Sequence, residues 1–380
     1  MQLIRADALT HKAEGHGLAE KATRYVAGCL ASGFPFAANI DTDCYALQTP
    51  STCFPVTVND RNISHNSYVV SPQNMYTRYA TYEAESTLPR SCSWAAAALA
   101  KAAGAIFGYA ALDTTVHVNN WLLSTQLFPA SFDTGEVEDI TSLLLRQFPQ
   151  HQIVWRSLNH TCNNTLIATL EKTGYLFIPS RQIYITDAHR PDTACVKRTE
   201  VRKDRKLLNS SSYEIVPGHR LSYTEIERVA ALYHALYIEK YCPLNPQYTP
   251  HWFHCGIQDQ WLEVYALRTS DGGIHGALGL FGDENVLTSP IVGYDTAQPQ
   301  ETGLYRQLTA LCLKTALERK LMLNASAGAS NFKAIRGGMP EIEYSAIYIN
   351  HLPRWKRNVW HTIRALLNHI AVPLMRHYKL

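Results

Sequence analysis

Two stretches of this 380-residue chain carry the same landmarks in the same order, and that repetition constrains the fold more than any other feature. Leu158-Asn159 precedes Ile183-Tyr184-Ile185 by 25 positions, and Leu323-Asn324 precedes Ile347-Tyr348-Ile349 by 24. Upstream, Asp133-Thr134 and Asp295-Thr296 hold matching places before a long helical pattern. One such coincidence is cheap. Three in one order imply that residues about 116–186 and about 285–350 are two copies of one supersecondary unit.

Within each copy the hydrophobic period switches between strand and helix values. In the first, Val116 to Leu123 reads as a mostly buried strand, Glu138 to Phe148 as a helix and Ile153-Val154-Trp155 as a strand. Thr165 to Lys172 then reads as a helix stopped at Gly174, and Tyr175 to Thr186 as a strand. In the second, Val286 to Tyr294 is a strand, and Gly303 to Lys320 is a helix with Leu304, Leu308, Leu311 and Cys312 on one stripe. Leu321 to Asn324 is a strand, Ser330 to Arg336 a short helix, and Glu343 to Asn350 a strand.

A charged connection, Lys197 to Lys206, separates the copies. After it come a strand near Tyr213 to Val216 and a helix capped at Thr224, then two strands, Trp261 to Leu267 and His275 to Phe281. The tight turn Asp271-Gly272-Gly273 joins those two. The first third is less patterned: a helix over Leu18 to Leu30, a strand at Phe54 to Val58 and an alanine-rich helix over Trp94 to Ala103. The pattern places the chain in the α/β (α+β) class, with a mixed central sheet in each unit flanked by helices. It divides the chain into residues 1–195, 196–350 and a C-terminal helix over 351–380.

Composition narrows the function classes. With 46% hydrophobic and 18% charged residues, the chain has enough apolar surface to fold. Its longest low-charge stretch, Ser93 to Thr125, contains Lys101, Asp113 and His117 and so lacks the roughly 18 clean apolar residues of a membrane span. A net charge of +3 is too small to argue for nucleic acid by itself. Nine scattered cysteines, none in a Cys-x-x-Cys pair, and an N-terminus without an apolar signal core imply a reducing cytoplasm with free thiols.

The element order from about 210 to 350, with its Asp-Gly-Gly turn, resembles the GNAT acyltransferase superfamily, and the earlier copy follows it in outline. Two such units in tandem resemble the Fem-like branch of peptidoglycan aminoacyl transferases and the related large acetyltransferase-like proteins. The superfamily's phosphate-binding turn, Gln/Arg-x-x-Gly-x-Gly/Ala before a helix, is matched by Gln300-Glu301-Thr302-Gly303-Leu304-Tyr305, with Tyr305 in the last small position. Free N–H groups at a helix start cradle a phosphate when small residues allow it close, so Tyr305 obstructs or redirects that approach. The more specific match is Ser330-Asn331-Phe332-Lys333. Fem-type enzymes carry a Phe-Lys pair after the last-but-one strand, with the lysine facing the interdomain cleft.

The resemblance implies roles for these residues. Lys333 would counter charge on a donor phosphate or on the oxyanion built when an amine attacks an ester or thioester. The Phe332 backbone would help position substrate, and Gln300 with Gly303 would shape the donor-phosphate turn. The first copy has no lysine at the matching place, its nearest being Lys172, so only the second is expected to be active. A base must take the amine's proton; Asp295, at a strand end, is better placed in the sequence than Glu341, Glu343 or His254.

Two basic segments suit polyanions. Arg202, Lys203, Arg205 and Lys206 could hold the phosphates of CoA or an RNA acceptor stem. From His351 to Leu380 there are six Lys/Arg and no acid, with Trp355, Val359, Trp360 and Ile363 at helical spacing. That segment reads as a basic amphipathic helix ended by Pro373. It either docks on the protein's own body or meets an anionic membrane or tRNA through residues 354–376. Cys242, His251, His254 and Cys255 fit no common zinc spacing, and no metal is expected. The expected activity is transfer of an acyl group from acyl-CoA to a small-molecule or peptide amine by direct attack. An aminoacyl-tRNA donor is the alternative, and a non-catalytic binding or scaffold protein with degenerate domains is the second alternative.

Overall fold

A computed structural model describes residues 1–9, 15, 17–33, 35–87, 89–189 and 195–378; Lys379 and the Cys92 side chain lie outside them. Its twelve strands form one sheet. The first six are β1 (Gln2–Arg5), β2 (Asp43–Gln48), β3 (Cys53–Asn59), β4 (Thr115–Val118), β5 (Gln152–Leu158) and β6 (Leu176–Asp187). The second six are β7 (Glu214–Pro217), β8 (Glu263–Arg268), β9 (Ile274–Gly282), β10 (Val286–Tyr294), β11 (Met322–Asn324) and β12 (Met339–Tyr348).

The order across the sheet is β1-β2-β3-β4-β5-β12-β6-β11-β10-β9-β8-β7, and it reads alike from either edge. Four antiparallel strands lead to a fifth that is parallel to the fourth, as β4 to β5 and as β10 to β11. The sixth strands then change places. β12 lies beside β5 and β6 beside β11, both antiparallel, and β6 pairs with β12 at the centre. The duplication thus extends into the poorly patterned first third, where β1, the helix starting at Leu18, β2 and β3 match β7, the helix starting at Tyr223, β8 and β9. A division at 195/196 separates the copies in chain order, but the sheet is not cut there, because each copy lends its last strand to the other.

Helices cover both faces. Val137–Gln147 and His160–Thr173 bury Ile140, Leu144, Leu166 and Leu170 against the first copy's strands. Leu304–Arg319 does the same in the second copy through Leu304, Leu308 and Leu311. On the opposite face, helices from both copies share one core in which Tyr25, Trp121, Trp252, Trp261 and Phe281 meet. At roughly 1.5–3 kcal/mol for each buried large side chain, this shared core is what makes the two copies one folding unit.

Four expectations need correction. Val116 to Leu123 is not one strand: β4 ends at Val118, and Asn119 and Leu122 adopt φ of 57° and 59°. The turn stays buried because side chains satisfy it. Asn119 Nδ2 donates to Leu127 O (2.7 Å), and Trp121 N–H donates to Gln126 Oε1 (2.9 Å). The charged connection is a helix, Thr199–Asn209, with Val201, Asp204 and Leu208 facing inward. The helix starting at Tyr223 is capped by Ser222, not Thr224, in a reciprocal box with Glu225. Pro373 does not end the C-terminal helix, which runs from Arg354 to Tyr378; a wide turn at Leu367–Ala371 precedes Pro373 and absorbs its missing N–H. Trp360 and Ile363 seat that helix beside Phe107, Leu112 and Leu176 of the first copy.

Candidate active site

The site is built where two parallel strands part. β10 and β11 pair only from Val286–Met322 to Thr288–Asn324; then β10 bends through an irregularity before Ile291 while β11 ends. The chain leaving β11 coils through Ser326 (φ 58°), Gly328 (76°) and Ala329 (47°). Left-handed backbone is unfavourable for residues with a Cβ and persists where surroundings over-determine it. Here Asn324 Oδ1 accepts from Ser326 N–H (2.9 Å), and Thr125 Oγ1 donates to Ser326 Oγ (3.0 Å). The helix Ser330–Ile335 follows at once, and Gly337 (φ 98°) closes it where a Cβ would come within 2.8 Å of Cys195.

Lys333 turns back under that coil. Its Nζ donates to Ser326 O (3.2 Å) and Ala327 O (2.6 Å), and the side chain is half-buried instead of projecting into bulk solvent. Burial, with the Arg181 guanidinium as the second cause, pulls its pKa down to about 7. A polar line leads from it to the first copy. Thr125 Oγ1, bonded to Ser326, also accepts from Arg181 Nη2 (3.4 Å), and Arg181 Nη2 donates to Glu343 Oε1 (2.7 Å). Phe332 is held from both sides, with Tyr305 4.8 Å away between ring centroids and Arg336 Cζ 3.3 Å over its ring. Its carbonyl accepts from Arg336 Nη1 (3.0 Å). Tyr305, the departure from the small-residue pattern, fills space against Phe332.

The turn from Gln300 to Tyr305 is roofed by a neighbouring helix. Gly303 sits at φ 61° between the short turn Gln300–Thr302 and the helix Leu304–Arg319, and a Cβ there would meet Leu207 at 2.8 Å. Leu207 belongs to the helix Thr199–Asn209, whose buried Asp204 reaches the same place. Asp204 Oδ1 accepts from Arg306 Nε and Oδ2 from Arg336 Nε, both at 2.6 Å. Arg202, Lys203, Arg205 and Lys206 occupy the exposed side of that helix, and Lys203 pairs with Glu200 (2.8 Å). The structure therefore brings Gln300, Gly303 and the basic helix into one neighbourhood, with the helix's acid facing the turn and its bases facing out.

Asp295 lies elsewhere. It holds Arg228 (3.0 Å) and accepts from the Ala297 N–H (3.0 Å). Burial pushes its pKa up, but these contacts and the Gln298 amide outweigh it and leave the carboxyl below its ordinary range. Of the other acids, Glu341 accepts from Thr161 N–H (3.0 Å) at the start of the helix His160–Thr173, and Glu343 pairs with Arg181. His254 packs edge-on against Tyr223. Among the described residues no cluster of three or more His, Cys, Asp or Glu is arranged to hold a metal.

Sequence reasoning missed Asp204, Arg306, Arg336, Arg181 and Arg156. One signal was available: Val201, Asp204 and Leu208 fall on one helical stripe, so Asp204 is the acid among buried positions. Arg156 likewise interrupts the buried run of β5.

No protein-family model matches the sequence, and no curated protein does. Solved structures give distant likenesses. One is L-PGS from Bacillus licheniformis, 13% identical, with 62% of this chain and 80% of that one covered at a TM-score of 0.45. FemX is 9% identical, covering 57% and 79%, at a TM-score of 0.44. A tandem GNAT protein from the clavulanic acid biosynthesis pathway is 9% identical, covering 91% of this chain and 98% of that one, at 0.38. No helix of the described residues is long and apolar enough to cross a membrane. By its strand order, its two forks and its exchanged sixth strands, the fold is two copies of one α/β unit fused through a single mixed sheet.

Proposed function

We propose that the protein is an acyltransferase that passes an acyl group from an activated donor to an amine by direct attack, with the second fork as its centre. The observation that carries this reading is Lys333, an amine held in a half-buried fork with a pKa near 7. In its neutral form Lys333 takes the proton that the attacking amine must lose. The ammonium so formed stands beside the oxyanion of the tetrahedral intermediate, which collapses by expelling the thiolate or ribose oxygen of the donor. One residue then supplies both the base expected at Asp295 and the positive charge.

Acyl-CoA is the donor we place first. Its phosphates would meet Arg306 and Arg336 at the helix start once Asp204 yields them. The roof of Leu207 over Gly303 favours a second reading, an aminoacyl-tRNA donor whose phosphates lie on the exposed Arg202, Lys203, Arg205 and Lys206. The exposed cations Arg354, Arg364 and Arg376 of the C-terminal helix suit RNA phosphates or anionic lipid headgroups. Thermal shift with CoA, total tRNA and anionic vesicles separates these partners. Stabilisation by CoA supports the first reading; salt-sensitive stabilisation by tRNA alone replaces it with the second. Failure of transfer with every donor leaves a degenerate scaffold.

A further inference from the structure

The chemistry above leaves unused a row of buried charge at the centre of the sheet. Arg156 on β5, Glu343 on β12 and Arg181 on β6 share one face, and Glu343 is the direct cross-strand partner of Arg181. The three are 9%, 2% and 8% exposed. Irregularities in pairing at Tyr344/Ala346 and at Glu343/Tyr344 flank the row, and such bulges re-aim side chains beside functional sites.

The row does not balance. Glu343 Oε1 accepts from both Nε (3.0 Å) and Nη2 (2.7 Å) of Arg181, while Oε2 is buried without a donor. Arg156 Nη1 donates to Val69 O (3.1 Å) and Asn120 Oδ1 (3.5 Å), and its guanidinium lies 5.8 Å from the centre of the Tyr68 ring. No carboxylate among the described residues stands within ion-pair distance of Arg156. Among the described residues its Nε and Nη2 have no acceptor, and neither is sealed from solvent; the same holds for Arg181 Nη1. Within ion-pair distance the two guanidiniums have one carboxylate, Glu343; Glu83, on the helix Ala80–Thr87, also acts electrostatically on Arg181. A lone buried cation is strongly unfavourable, and a fold that keeps one gains from an anion that arrives to meet it.

We propose that this row seats the acceptor's own carboxylate. The amine that is acylated belongs to an amino-acid or peptide-type molecule whose free carboxylate is gripped by Arg156 and the open edge of Arg181. The inference rests on the acyl-transfer reading for the word acceptor, but the binding site stands on its own geometry. It also explains a coupling. Arg181 is one cause of the low proton affinity of Lys333, so an anion on the arginines makes Lys333 a stronger base when the acceptor is in place.

The test is binding without any donor: thermal shift of the full chain with alanine, alanyl-alanine, their C-terminal amides and inorganic phosphate. The two carboxylates should raise the melting temperature by about 2 °C or more at 100-fold excess over Kd, and the amides should not. Arg156→Gln should abolish the shift, Arg156→Lys should keep part of it, and Lys333→Ala should keep all of it while losing transfer. Equal shifts for acids and amides, no shift for either acid, or a shift with phosphate alone overturns the proposal. The acid–amide comparison on the native chain holds even where the Arg156 variants fail to fold. Selective binding of the acids with no transfer from any donor supports this site and sinks the acyl-transfer reading.

Discussion

The two forks of the sheet are built alike and lined differently. In the first copy, β4 and β5 part after Val118–Trp155, and the opening is filled by the amides of Asn119, Asn120 and Gln126 with Arg156 among them. The following helix, His160–Thr173, is long and regular apart from Asn163, and Asn159 caps it. In the second copy the strands part after Thr288–Asn324, a left-handed coil follows, and the helix shrinks to Ser330–Ile335 with Lys333 bent back under it. One fork holds a permanent cation fixed by backbone and amide oxygens. The other holds an amine whose charge changes near neutrality. The shorter helix behind the left-handed coil is what lets Lys333 bend back into the second fork.

The comparison breaks first at Lys333. Lys333→Ala should cut turnover by about 10²–10³-fold with the melting temperature nearly unchanged, while Lys172→Ala in the first copy should leave both alone. Equal loss from the two variants would falsify the asymmetry. The next largest effect concerns the roof over the turn from Gln300 to Tyr305. Asp204→Ala leaves Arg306 and the mostly buried Arg336 without their shared carboxylate and should cost about 2–3 kcal/mol, read from the denaturant midpoint. In the same variant CoA should bind more tightly, because a competing anion has gone. No change in CoA affinity would separate that contact from donor binding.

A third measurement sharpens the difference between the two cations. With Lys333 as base, kcat/KM should rise with pH, about tenfold per unit, up to a plateau above about 7. Lys333→Arg should flatten that limb, because a guanidinium stays charged throughout this range. A limb that survives the change assigns the base elsewhere. The smallest effect compares helix starts. The second copy's first helix is closed by the Ser222–Glu225 box, whereas its counterpart begins at Gly17 without a side-chain cap. Ser222→Ala should therefore cost about 1 kcal/mol, measurable as about 1 °C of melting temperature.

Much of the fold was legible because its signals are local. The second-copy elements from Val286 to Asn350 lie close to where the apolar periods placed them, and so do the helices from Leu18 and Glu138. One misreading has a plain cause: Val116 to Leu123 is uniformly buried, Asn119 and Asn120 included, and a mostly apolar run looks the same as a strand or as a satisfied buried turn. The site was legible only in part. Phe332-Lys333 and Gly303 belong to short contiguous patterns, so the chain order displays them. Asp204 pairs across 102 and 132 positions and Arg181 across 162, and in the sequence each is one more charged residue.

The sequence by itself determined that the chain is a duplicated α/β protein, and it marked which copy carries the lysine, because strand period, helix period and repeat spacing are properties of neighbouring residues. Only the tertiary structure decided that the sixth strands change places, that Asp204 pairs with Arg306 and Arg336 and that Arg156 and Arg181 lie beside Glu343. Those outcomes turn on which distant groups share a low-dielectric space. Burial sets the energy of a charge far more than its identity does, and burial exists only once the sheet has closed around it.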